Sequence, residues 1–255
     1  MRTVAILQAR TSSSRLPGKV LLPLLGKPML LRQIERVSRC RRIDDLVVAT
    51  SVDPSDDAIE ELCSANRVAC FRGDLDDVLD RFYRAATLHH AETVVRLTGD
   101  CPLADPELID AVITFLDQGR FDFASNAIEP TFPDGLDAAA FRMNLLKEAW
   151  QEAILPSDRE HVTMFMRRHS ARYRIGSYRG GIDRSHLRWT VDEPEDFTLV
   201  ARIYEKLYPV NPRFSTEDIL GLLDAEPELL GLNGGIERNE GLRRSLQKDP
   251  HAVGE

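Results

Sequence analysis

Between residues 3 and 119, short apolar runs take turns with stretches whose apolar positions recur every three or four residues. The runs TVAILQA (3–9), DLVVATS (45–51), RVACFRG (67–73) and TVVRLTGD (93–100) predict buried strands. The stretches between them predict helices. One opens at Pro28 and places Leu30, Leu31, Ile34 and Val37 on one face; a second, PSDDAIEELCSA (54–65), has a proline in its first turn. LDDVLDRFYRAATLHHA (75–91) is a third. In DPELIDAVITFLDQG (105–119), Asp105 is placed as N-cap, Pro106 as first helical residue and Gly119 just past the end. Strict alternation of this kind predicts parallel βαβ units with right-handed crossovers. The fold class expected is α/β, a doubly wound, mostly parallel sheet with its ligand at the C-terminal ends of the strands.

Past residue 120 the pattern changes. FDFASNAI (121–128), FPDGLDAAAF (132–141), RYRIGSY (172–178) and LRWTV (187–191) read as strands, with helices near 143–154 and 157–169. This predicts a mixed α/β insertion over about 121–180, covering one side of the sheet. DEPEDFTLVARIYEKLY (192–208) is the last core helix, so the main domain is expected to span 1–210. Residues 211–255 add short helices (216–231) and a polar tail, NEGLRRSLQKDPHAVGE, expected to be loose at its end.

Composition changes this picture in one respect. The chain of 255 residues carries a net charge of −8, which argues against bulk nucleic-acid binding. Yet residues 1–42 hold ten Lys/Arg against one acid, Glu35. Arg36, Arg39, Arg41 and Arg42 fit a solvated basic helix face. Arg10, Arg15 and Lys19 instead lie in a loop behind the first strand, where they suit a local anionic ligand. Four cysteines without C-x-x-C spacing point to reduced thiols in a cytoplasmic protein, and no apolar stretch reaches the length of a membrane span.

The loop LQARTSSSRLPGK (7–19) has one glycine, too few for a Walker A or dinucleotide motif. Its arginines, lysine and hydroxyls gather at a strand end, as do two carboxylates: Asp100 in LTGDCPL and Asp192 in WTVDEPED. Cations and carboxylates in one crevice suit a polyphosphate with a divalent cation. Each acid also has a plainer reading, Asp100 as a turn residue and Asp192 as an acid at a helix start. Ser157 and Glu160 match an S-x-x-E capping box, and Asp76-Asp77 a charged helix start.

LQARTSSSRLPGKVLLPLLGKPML resembles the opening motif of the sugar-acid cytidylyltransferases, the group of CMP-Kdo and CMP-sialic acid synthetases. RLTGDCPL and LRWTVDEPEDFTLV are similar to the family's two aspartate segments. RGDLDDVLDRFYRAA, FPDGLD and REHVT resemble the SpsF-type branch of spore coat polysaccharide biosynthesis. The resemblance runs over roughly 1–210. It implies a GT-A-like nucleotidyltransferase fold, CTP and an acidic sugar as substrates, Mg²⁺ as cofactor, and a homodimer formed through the inserted half. The charge balance and the short apolar runs lead to no nucleic-acid or membrane partner being expected. Carried over residue by residue, Arg10, Ser13, Arg15 and Lys19 would hold the triphosphate, and Ala9 and Thr98 would lie against the base. Arg10, Lys19 and Asp100 would be catalytic, Asp100 and Asp192 would coordinate the metal, and Asp77, Asp137 and His161 would face the sugar. Alanines at 138–140, where relatives place an acid, depart from the pattern. Two other readings stay open: a glycosyltransferase using a finished nucleotide sugar, and a non-catalytic nucleotide-binding module.

Overall fold

The computed structural model describes residues 1–236, 238, 243, 245–247 and 249. Its strands are β1 (Thr3–Gln8), β2 (Pro23–Leu24), β3 (Lys27–Pro28), β4 (Asp45–Ser51), β5 (Ala69–Gly73), β6 (Thr93–Thr98), β7 (Phe123–Ser125), β8 (Ala139–Arg142) and β9 (Ile175–Ser177). Its helices are α1 (Met29–Val37), α2 (Asp57–Ala65), α3 (Val78–Leu88), α4 (Pro106–Gln118), α5 (Met143–Glu152), α6 (Pro156–His161), α7 (Met164–Arg168), α8 (Pro194–Leu207) and α9 (Thr216–Ala225).

Seven strands form one sheet in the order β5-β4-β1-β6-β8-β7-β9. β1 pairs in parallel with both β4 and β6; β8 alone among these strands runs against its neighbours. Side chains alternate across the pleat, so β1 sends Ala5 and Leu7 into one core and Val4 and Ile6 into the other. The first core packs α1, α4, α8 and α9 on one face; the second packs α3, α5 and α7 on the opposite face. The chain reverses its direction of strand addition between β1 and β6, the switch point where such sheets bind ligands. Gln8 is in register with Thr98 there, so Ala9–Arg10 and Gly99–Asp100 leave the sheet side by side. Gly99 allows that approach: a Cβ on it would meet Gln8 O at 3.0 Å and Ala9 Cβ at 3.1 Å.

The first half follows its pattern closely, down to Asp105 accepting from the backbone N–H groups of Glu107 and Leu108. The second half departs from it. LRWTV is not a sheet strand; it runs extended and makes one parallel bridge, Asp134 with Arg188. In FPDGLDAAAF only the end joins the sheet, as β8. Residues 132–138 form a turn in which Gly135 (φ 104°) lies flat on the 189–190 backbone, where a Cβ would stand 2.3 Å from Thr190 N. The helix expected over 157–169 is two helices, α6 and α7, broken at Val162 (φ 54°, ψ −53°). Thr163 N donates to His161 O across it, a γ-turn that strains a β-branched residue.

Other expectations need correction. Ser157 and Glu160 form no capping box: Ser157 donates its hydroxyl to Asp249, and Glu160 accepts from Ser245. Arg36 is not on a solvated face; it is buried, donates to the carbonyls of Ala104 and Phe214, and stacks 4.4 Å from the Phe214 ring. The loose end expected for the tail falls at 250–255, outside the described residues. Among the described residues no helix is long and apolar enough to cross a membrane.

Candidate active site

The loop after β1 is built to hold its cations in place. Thr11 gives its backbone N–H and hydroxyl to Asp56, a fully buried acid that also binds Ser51 at the end of β4. Gly18, at φ 68°, returns its N–H to Thr11 O and closes the loop. Lys19 then starts a short 3₁₀ turn with its side chain pointing inward. The 189–192 segment is tethered to the end of β6 by Val191 N donating to Asp100 O at 2.8 Å. Asp100 and Asp192, distant in sequence, thereby face one another across Lys19.

The geometry at that point is compact. Lys19 Nζ lies 2.8 Å from Asp192 Oδ1, 3.3 Å from Asp100 Oδ2 and 2.8 Å from Val191 O. Burial alone would lower the lysine pKa, but the two carboxylates outweigh it and hold the ammonium above its ordinary value. Burial would likewise raise Asp100; Lys19 and the Thr98 and Cys101 side chains pull its carboxyl down to about 2. Arg15 adds an ion pair to Asp192 at 2.9 Å. The two acids thus stand within reach of a single cation. Two hard carboxylate oxygens beside a cavity are a donor set of the kind that suits a divalent cation such as Mg²⁺. Among the described residues no group of three or more His, Cys, Asp or Glu forms an all-protein metal site.

Asp192 is itself held from behind. Arg188 donates to Asp192 Oδ2 (3.1 Å), to Asp134 Oδ2 (2.9 Å) and, through Nε and Nη2, to both oxygens of Asp196 (2.9 Å each). Asp196 is fully buried and also accepts the backbone N–H groups of Asp192 and Glu193. Arg188→Ala would strand that acid without its cation. A stability loss of about 3–5 kcal/mol is expected, read as a drop of roughly 10 °C in melting temperature; a change within error would remove Arg188 from this role.

Two cavities meet at the pair of acids. The first, of about 360 Å³, is lined by Ala9, Arg10, Ser13, Arg15, Lys19, Val78, Arg81, Arg96, Thr98, Asp100, His161 and Asp192, among others. The second, of about 250 Å³, is lined by Ser125, Asp134, Asp137, Thr163, Arg167 and Thr190, and shares Arg15, Arg96, Thr98, Asp100, His161 and Asp192 with the first. Ten of the eleven residues singled out in the sequence therefore surround this crevice. Asp77 lines neither cavity. One of its oxygens caps α3 by accepting from Asp80 N, and the other pairs with Arg159.

Three arginines were not singled out. Arg81 projects from the apolar stripe of α3 beside Val78 and Phe82 and is 2% exposed. Its Nε and Nη1 are buried without a hydrogen-bond partner at the wall of the first cavity. Gly73 makes room for it, since a Cβ there would lie 2.5 Å from Arg81 Cγ. A cation on an otherwise apolar helix face was the available signal. Arg96 stands between the cavities with Nε bonded to Gln8 Oε1 at 3.2 Å, and Arg167 lines the second.

A family model described as cytidylyltransferase matches residues 4–215 of this chain. The chain belongs to the cytidylyltransferase family. Its relatives include the spore coat polysaccharide biosynthesis protein SpsF of Bacillus subtilis, 34% identical over 88% of this chain and 94% of that one. The 3-deoxy-manno-octulosonate cytidylyltransferase of Geobacter sulfurreducens is 37% identical over 44% of each chain. Among solved structures, a cytidylyltransferase from Leptospira borgpetersenii superposes with a TM-score of 0.87 at 30% identity, covering 93% of this chain and all of that one. The α/β nucleotidyltransferase fold expected from the sequence is thus the fold of this cytidylyltransferase.

His161 sits where both cavities of the cytidylyltransferase meet, turned there by the break at Val162. Burial pushes its pKa down to about 4; Glu160 opposes this, and Arg96 and Arg10 add to it. The imidazole is neutral at pH 7. An unfolded chain binds the proton more readily, so the contribution is present above about pH 6.5 and lost as pH falls through about 4. His161→Gln is expected to flatten the loss of stability between pH 6.5 and 4, to which this group contributes about 3 kcal/mol, read as a shallower fall in melting temperature over that range. Parallel pH profiles for wild type and variant would contradict the assignment.

Proposed function

We propose that this cytidylyltransferase transfers CMP from CTP to the anomeric hydroxyl of an acidic sugar of the octulosonic or nonulosonic kind, for a surface polysaccharide. The observation that carries the reading is the meeting of two cavities at Asp100 and Asp192, one rich in cations and hydroxyls, the other mixed in charge. In this reading Arg10, Ser13, Arg15 and Lys19 take the triphosphate in the first cavity. The unpartnered N–H groups of Arg81 suit a base that presents acceptors: cytosine offers O2 and N3, whereas uracil carries a proton at N3. Arg96 and Arg167 suit the carboxylate of the acceptor.

Asp100 and Asp192 would hold Mg²⁺, which when bound neutralises phosphate charge and polarises the α-phosphate. The remaining work belongs to the side chains. The sugar hydroxyl oxygen bonds to the α-phosphorus, the bond from that phosphorus to the β-bridging oxygen breaks, and the hydroxyl proton passes to solvent. Lys19, a compact charge on a flexible stem, follows the negative charge onto the departing pyrophosphate. Arg10 and Arg15 orient the chain of phosphates, so positioning and charge compensation carry the step. A pyrophosphate-release assay with CTP, UTP or ATP against a panel of acidic sugars tests this. Release is expected with CTP and an acidic sugar together; release with none of the panel would overturn the reading.

A further inference from the structure

Residue 238 lies beyond the region matched by the family, yet its side chain is bonded to aspartates that line the second cavity. Arg238 Nη2 donates to Asp137 Oδ1 at 2.5 Å, its Nη1 to Phe132 O at 3.3 Å, and its Nε lies 3.7 Å from Asp134 Oδ1. Four aspartates line that cavity: Asp100, Asp134, Asp137 and Asp192. Lys19 and Arg15 answer Asp100 and Asp192, and Arg188 answers Asp134. Among the described residues, Arg238 is the cation within ion-pair distance of Asp137. An anionic ligand entering beside an unanswered carboxylate would be repelled.

We propose that Arg238 is a positioning residue of the acceptor cavity, neutralising Asp137 so that a negatively charged sugar can enter. This rests on the acidic-acceptor reading above. Burial raises the Asp137 carboxyl, Arg238 and then Arg96 pull it down, and Asp100 pushes it up; Asp137 in turn raises Asp134. Loss of Arg238 removes the larger of the two opposing cations.

The test compares wild type with Arg238→Ala, Arg238→Lys and the double variant Arg238→Ala/Asp137→Asn, with 3-deoxy-manno-octulosonate as one of several acidic acceptors. Arg238→Ala is expected to raise the acceptor KM about 10-fold while leaving the CTP KM within about twofold. Arg238→Lys should recover part of the loss, and adding Asp137→Asn should recover most of it. An unchanged acceptor KM, or a loss that Asp137→Asn does not relieve, overturns the proposal. Carbon-13 NMR of the Asp137 carboxyl in the free protein supplies a readout that needs no turnover. Its titration should move up by about one pH unit or more in Arg238→Ala, and an unmoved titration overturns the proposal. Failure of the wild type on every acidic sugar, with the titration shifted, would refute the functional reading while upholding neutralisation of Asp137.

Discussion

Asp100→Asn lowers turnover by about 10³-fold or more while the protein stays folded; this is the largest effect expected of any single substitution here. The carboxamide keeps the shape and the place at the end of β6. It loses the charge that, with Asp192, would balance a divalent cation against the triphosphate. The cost to stability is much smaller. The Asp100 carboxyl is held at about 2 in the folded protein, so its favourable contribution is present above about pH 3.8 and lost as pH falls through 2. That difference is worth about 2 kcal/mol at neutral pH, a modest fraction of a domain's stability. Steady-state kinetics beside thermal melts check the separation. Undiminished turnover would take Asp100 out of the chemistry.

Lys19→Ala is expected to lower turnover by about 10²–10³-fold, the scale of one lost charge-stabilising donor. It also leaves Asp100 and Asp192 facing each other with no ammonium between them, and Val191 O without its donor. Because the acids line a solvent-open cavity, the stability loss should be about 1–3 kcal/mol, below that for a fully buried pair. A cation that fits between the two acids should restore part of it. Addition of Mg²⁺ is therefore expected to raise the melting temperature of Lys19→Ala more than that of wild type. Equal responses would argue against a shared cation site at these acids, and a collapsed fold would make Lys19 a structural lysine.

The parts of the site legible in the sequence are those attached to regular elements. Arg10, Lys19 and Asp100 follow largely apolar strands, and Asp192 precedes a proline-started helix, so periodicity placed them at the C-terminal end of the sheet. What the sequence hid depends on distant partners. Arg188 looked like one residue of a short strand; its role comes from Asp196, Asp134 and Asp192 closing around it. Arg81 interrupts an apolar stripe, yet only the neighbouring β1 and Gly73 show that its N–H groups border a cavity. The apolar spacing over 157–169 continues through Val162 and gives no sign of the γ-turn that turns His161 inward. Asp77 reads the same whether it caps a helix or faces a sugar; the structure gives one of its oxygens to Asp80 N and the other to Arg159, 82 residues away, a pairing that the sequence does not show.

Phosphorus-31 NMR of a single reaction mixture reads both products of the proposed CMP transfer at once. The protein, CTP, Mg²⁺ and an acidic sugar are expected to yield pyrophosphate and a CMP-sugar phosphodiester in equal amounts, at the expense of CTP. Consumption of a preformed nucleotide sugar with release of its nucleotide and no pyrophosphate, while CTP stays intact, would contradict it.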